Sequence, residues 1–129
     1  MPLSLSVTDL VAIVDDDPFV RAAVRSFVRA LGGDACEFAS APAFLVSDRV
    51  ARTRCLICDI QMPGMDGIDV LSRIEAAGAR IPTIFVTAFA TVRQRERERV
   101  RASAALCLLE KPIDARELEG WLARALRRG

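Results

Sequence analysis

The chain contains no histidine and no tyrosine. Without an imidazole it lacks the side chain that most often serves as general base, metal ligand or phosphoryl carrier near neutral pH. Lysine is nearly absent too: Lys111 stands alone against seventeen arginines. A chain that elsewhere carries positive charge only on arginine has kept one ammonium, which points to a requirement at that position. Long apolar runs are missing: no stretch reaches ~18 consecutive apolar residues, so nothing reads as a membrane span. Met1 to Leu10 lacks the basic start and apolar run of a signal peptide. These absences predict a cytoplasmic protein whose cysteines are reduced. Net charge is only +1, so no bulk field draws nucleic acid or an acidic membrane.

What is there fits one domain. A chain of 129 residues divided in two would leave each half too little core. Hydrophobic residues at 52% and charged residues at 27% are ordinary for a globular domain and exclude disorder. The expectation is a single domain over residues 1–129, with no repeat, linker or output domain. Cys55 and Cys58 have the spacing of a metal or redox pair, but they lie in an apolar run that reads as a strand. Positions three apart on a strand face opposite ways, which excludes a shared metal. Cys36 and Cys107 also fall in apolar strand-like runs and are expected in the core.

Apolar runs and turn signals alternate along the chain. Leu10–Val14 reads as a strand buried on both faces, and it stops at three aspartates. Asp17 and Pro18 open a helix that Gly32-Gly33 stops. Asp34–Ala39 is a weaker strand, and Ser40 and Pro42 start a helix expected to run to about Ala51. A third strand, Arg54–Cys58, ends at Asp59. After a Pro/Gly-rich loop, Asp66 caps a helix over Gly67–Ala77. Ile81–Val86 is a fourth strand, Thr91 to about Ala104 a fourth helix, and Leu106–Leu109 a fifth strand. Asp114 and Glu117 have capping-box spacing and open the last helix. Five strands alternating with five helices predict an α/β fold on a parallel sheet, with helices on both faces.

Such folds bind ligands at the carboxyl ends of their strands. Asp15, Asp16 and Asp17 follow the first strand, Asp59 the third, Thr87 and Ala88 the fourth, and Glu110 and Lys111 the fifth. Clustered carboxylates repel, and a divalent cation relieves the repulsion. Oxygen ligands without His or Cys favour Mg²⁺ or Mn²⁺. One carboxylate is then free to attack phosphorus, while a threonine hydroxyl and an ammonium hold phosphoryl oxygens. The set suits phosphoryl transfer to an aspartate.

Four segments carry a family resemblance: Val14-Asp15-Asp16-Asp17-Pro18, the run Cys58-Asp59-Ile60-Gln61-Met62-Pro63-Gly64-Met65-Asp66-Gly67, Val86-Thr87-Ala88, and Glu110-Lys111-Pro112. In this order, and over essentially the whole chain, the sequence resembles the receiver domain of two-component response regulators. The resemblance implies a doubly wound sheet of strand order 2-1-3-4-5. It implies that Asp59 accepts a phosphoryl group from a partner histidine kinase or phosphotransfer protein. Asp16 would be the main Mg²⁺ carboxylate, Asp15 a helper, and the Gln61 carbonyl a backbone ligand. Thr87 and Lys111 would hold the phosphoryl oxygens, with Ala88 beside them, and Pro112 would follow a cis peptide bond. A downstream protein would read the face from the fourth strand to the fifth helix, where a homodimer could also form. Since the chain has no histidine, the donor comes in trans or is a small acyl phosphate.

Three features depart from the family pattern. Leu108 stands three residues before the lysine, where the family usually has Tyr or Phe. The segment between Thr87 and Lys111 is about two residues longer than usual and is rich in alternating Arg and Glu. Its apolar face is thin, and Arg93, Arg97 and Arg101 share helical spacing. Phe89, two residues after Thr87, occupies a position that in the family tunes hydrolysis, as does Gln61. Three alternatives stand beside the leading one: the receiver portion of a longer DNA-binding regulator, a degenerate receiver that only binds, and an aspartyl phosphatase. The last usually needs a second Asp where this chain has Gln61.

Overall fold

Apolar alternation on the strands sets the two layers that cover the sheet. The computed structural model describes residues 3–88 and 94–126. Strands β1 (Leu10–Val14), β2 (Asp34–Phe38), β3 (Cys55–Asp59), β4 (Thr83–Thr87) and β5 (Cys107–Glu110) form one sheet in the order β2-β1-β3-β4-β5. Every pairing is parallel. Helices α1 (Pro18–Ala30) and α5 (Ala115–Ala125) contribute Val24, Val28, Leu118 and Leu122 to one core, together with Val11, Ile13, Ile57, Ile84 and Val86. Helices α2 (Ala41–Leu45), α3 (Gly67–Ala76) and α4 (Gln94–Ala102) contribute Phe44, Ile68, Leu71, Ile74 and Val100 to the other, with Ala12, Val14, Leu56 and Phe85. The three central strands are buried at every residue, as expected where both faces are covered. Edge strands β2 and β5 are only partly buried.

The cysteines follow strand alternation. Cys55 joins the α1/α5 core and Cys58 the opposite one. Burial pushes the Cys55 thiol up to about 12 and the Cys58 thiol up as well. Cys36 and Cys107 pack against the two cores but stay half-buried, because they lie on the edge strands.

The second helix is shorter than expected. It covers only Ala41–Leu45, and a separate 3-10 turn follows at Val50–Arg52. Side chains take over the backbone groups between them: Ser47 Oγ donates to the Phe44 carbonyl at 2.7 Å and accepts from Arg49 N at 3.2 Å. Val46 is exposed, so no apolar face carries the helix onward. The fourth helix is observed over Gln94–Ala102; residues 91–93 of its expected span lie outside the described residues. At α5, Asp114 accepts from the Arg116 and Glu117 amides. The fully reciprocal capping box is at α3, between Asp66 and Asp69.

Candidate functional site

Strand register brings the chemistry to one edge of the sheet. Val14 lies opposite Cys58, Cys58 opposite Phe85, and Phe85 opposite Leu108. One residue further on, β1 and β3 deliver Asp15 and Asp59 side by side. Thr87 lies opposite Glu110, and the Lys111 amide donates to the Thr87 carbonyl at 2.7 Å. Ligand atoms of Asp15, Asp16 and Asp59 all fall within 4.8 Å of one another. The Lys111 ammonium sits between two of these carboxylates, 2.9 Å from Asp15 Oδ2 and 3.1 Å from Asp59 Oδ2.

Local backbone fixes each group. Asp59 Oδ1 accepts from the Gln61 amide at 3.0 Å, and Asp15 Oδ1 from the Asp17 amide at 2.9 Å. Asp17 caps α1 through the Phe19 amide, with Pro18 at the first position. The loop after Asp59 returns tightly: Gly67 N donates to the Ile60 carbonyl, and a Cβ at Gly67 would lie 2.5 Å from the Asp59 carbonyl oxygen. Only a glycine fits against the Asp59 backbone there. The Lys111–Pro112 peptide is cis, in agreement with the resemblance.

The electrostatics are those of a crowded acidic corner. Burial raises the Asp59 carboxyl above its ordinary range, and Asp15 adds to the rise. The Gln61 amide and Lys111 oppose it without cancelling it. Burial alone would lower the Lys111 ammonium; its contacts with Asp15 and Asp59 outweigh burial and raise it. Asp15 Oδ2 is buried and has no hydrogen bond of good geometry, although the ammonium is close. The three carboxylates of Asp15, Asp16 and Asp59, one of whose oxygens is buried without a well-formed hydrogen bond, make a donor set suited to a small hard cation.

The structure thus brings Asp15, Asp16, Asp59 and Lys111 together, with Thr87 fully buried at the adjacent strand end. Gln61, Ala88 and Pro112 border the site and are exposed. Leu108 is half-buried and packs on the α3/α4 core one strand from Phe85; it is not among the grouped polar residues. Phe89 lies outside the described residues.

The response regulator receiver domain model matches residues 11–123. The chain belongs to the response regulator receiver family. Among relatives of this receiver, the response regulator protein TmoT of Ectopseudomonas mendocina is 34% identical over 92% of the chain and 53% of that protein. A transcriptional regulatory protein FixJ of Azorhizobium caulinodans is 32% identical over 88% of the chain and 51% of that protein. The receiver spans about half the length of the curated relatives it matches. Its fold matches a solved receiver protein from Burkholderia phymatum with TM-score 0.77 and 34% identity, covering 92% of this chain and 94% of that one. The doubly wound fold and its strand order agree with the sequence reading.

Two residues near the site were not singled out from the sequence. Arg21 donates to the Asp15 carbonyl, and Arg99 reaches from α4 to Asp66 at the start of α3. Arg21 pairs with a main-chain atom, which no side-chain pattern encodes. Arg99 and Asp66 are 33 residues apart and meet only through the fold. No helix of the described residues is long and apolar enough to cross a membrane.

Proposed function

We propose that this receiver is a phosphoacceptor switch whose acceptor is Asp59. The contact of Asp59 with the Lys111 ammonium, inside the Asp15/Asp16/Asp59 group, is the observation that carries this reading. In the transfer, an Asp59 carboxylate oxygen forms a bond to the phosphorus of a phosphohistidine on a partner kinase or phosphotransfer protein. The phosphorus–nitrogen bond breaks, and its electron pair stays on the imidazole, which takes a proton. Lys111 and Thr87 hold the phosphoryl oxygens. Asp15, Asp16, Asp59 and the Gln61 carbonyl would hold Mg²⁺ or Mn²⁺, which when bound neutralises charge on the carboxylates and the incoming group.

Phosphorylated Asp59 shifts an existing equilibrium of the face running from β4 to α5, which a downstream protein or a second copy reads. Ala88, Leu108 and Pro112 are the positions that tune it, and Phe89 tunes hydrolysis of the phosphoryl group. The same switch acting inside a longer transcriptional regulator is a second reading. It is favoured by the greater length of the matched relatives, three of which are transcriptional regulatory proteins.

Intact mass after incubation with Mg²⁺ and acetyl phosphate tests the acceptor. One added phosphoryl group is expected on the unmodified chain and none on Asp59→Asn. Equal labelling of both chains overturns the assignment of Asp59. No labelling by acetyl phosphate or by a panel of phosphorylated histidine kinases overturns the switch and leaves a binding module.

A further inference from the structure

The loop that supplies Asp15 and Asp16 is braced from outside the acidic group. Arg21, on the first turn of α1, donates from Nη1 to the Asp15 carbonyl at 2.7 Å. Its side chain is only 18% exposed, and Nε lies 3.5 Å from Glu37 Oε1 on β2. Glu37 Oε2 in turn meets Arg25 Nη1 at 2.8 Å. Asp15 is therefore tied at three further atoms besides the one facing Lys111. Its amide donates to the Phe38 carbonyl, its Oδ1 accepts from the Asp17 amide, and its carbonyl accepts from Arg21.

The Asp15 carbonyl belongs to the peptide plane that leads into Asp16. That plane is rigid, so its tilt sets where the next side chain begins. Asp16 is exposed and gains little orientation from packing. We propose that Arg21 is a positioning residue for the divalent-cation site: it holds the Asp15–Asp16 peptide so that Asp16 stands beside Asp15 and Asp59. The inference rests on the reading of the acidic group as a cation site. Arg21 touches neither the cation nor the reacting atoms.

Charge and geometry predict opposite signs here. A guanidinium near a cation site repels the cation, so by charge alone its removal tightens binding. Groups that orient metal ligands from behind typically cost 10–100-fold in affinity when removed. Loss of affinity therefore marks positioning.

Mn²⁺ titration followed by electron paramagnetic resonance of the free ion reads this without any phosphoryl transfer. It is carried out well below the unfolding temperature, with folding checked by circular dichroism. Arg21→Ala is expected to bind Mn²⁺ about tenfold more weakly. Arg25→Ala, which loses the shorter pair to Glu37 but no contact with Asp15, is expected to bind within about twofold of the unmodified chain. Should Arg21→Ala fail to fold, Arg21→Lys keeps the charge and loses the planar fork, and weaker binding is expected there too. Unchanged or tighter binding in the folded Arg21 variant overturns the proposal, as does an equal loss in Arg25→Ala. If the unmodified chain does not bind Mn²⁺, the cation-site reading itself fails, which is a separate result.

Discussion

Charge holds two parts of this receiver in place, and it does so in different surroundings. At the sheet edge, the Lys111, Asp15 and Asp59 side chains are 14%, 2% and 6% exposed. On α4, Arg99 pairs with Asp66 at 2.9 Å and with Asp69 at 3.5 Å, but its side chain is 40% exposed. Among the α4 residues whose side chains are described, Val100 alone is buried. The sheet edge is thus anchored by two core strands and holds buried charges close together. Among its described side chains, helix α4 buries one valine and makes ion pairs open to water, including Arg97 to Glu110 at 3.8 Å. Buried charges left without a partner are costly, whereas exposed pairs contribute little and are screened by salt. Mutation and salt therefore affect the two regions differently.

The largest effect is expected at Lys111. Lys111→Met leaves Asp15 and Asp59 facing each other without their ammonium. Breaking a buried pair this way typically costs 3–5 kcal/mol; with the ammonium partly exposed, about 2–3 kcal/mol is expected here. Urea unfolding in a chelating buffer measures it. Added Mg²⁺ is expected to recover part of the loss, because a cation that binds only the folded chain stabilises it. A Lys111→Met chain as stable as the unmodified one would show that the corner does not depend on the ammonium.

Val100→Ala comes next. It removes two methyl groups from a nearly buried position, and about 1–2 kcal/mol is expected. Because Val100 is the buried residue among the described α4 side chains, hydrogen exchange is expected to rise first at residues 96–102. The β1 and β3 amides should keep their protection. Uniform loss of protection through the sheet would mean that α4 and the core unfold as one unit.

How far the sequence revealed each region follows from the kind of contact that builds it. Strands β1, β3 and β4 are legible because burial on both faces demands unbroken apolar runs, and the aspartates and threonine that end them mark the site. The Lys111 requirement was visible because arginine replaces lysine everywhere else. The end of α2 was not legible, since Ser47 and Thr53 redirect backbone hydrogen bonds by contacts that helical spacing does not encode. The thin apolar face of α4 could be read from its composition, but not the Arg99–Asp66 pair that fastens it. Leu108 could be placed on β5, and the structure sets it on the α3/α4 core opposite Phe85.

The smallest effect is expected at Arg99, and its pH dependence sharpens the contrast. Burial alone would raise the Asp66 carboxyl. The Asp69 amide and the Arg99 hydrogen bond and charge outweigh burial and hold it below the ordinary range. As pH falls through the ordinary aspartate value near 3.9, the unfolded chain takes up this proton before the folded one does. The contribution of Asp66 is therefore fully present above that value and is lost as pH falls through the lower folded-state value. Arg99→Ala is expected to cost about 0.5–1 kcal/mol at pH 7, and less in high salt. In an Asp66→Asn background the cost should shrink, because the partner charge is gone while the asparagine still caps α3. As pH falls through the lowered folded-state value of Asp66, the difference between Arg99→Ala and the unmodified chain should close in the same way. A cost that persists unchanged in acid, in salt and in the Asp66→Asn background would assign Arg99 to packing by its alkyl stem, and α4 would then be held by the same means as the rest of the fold.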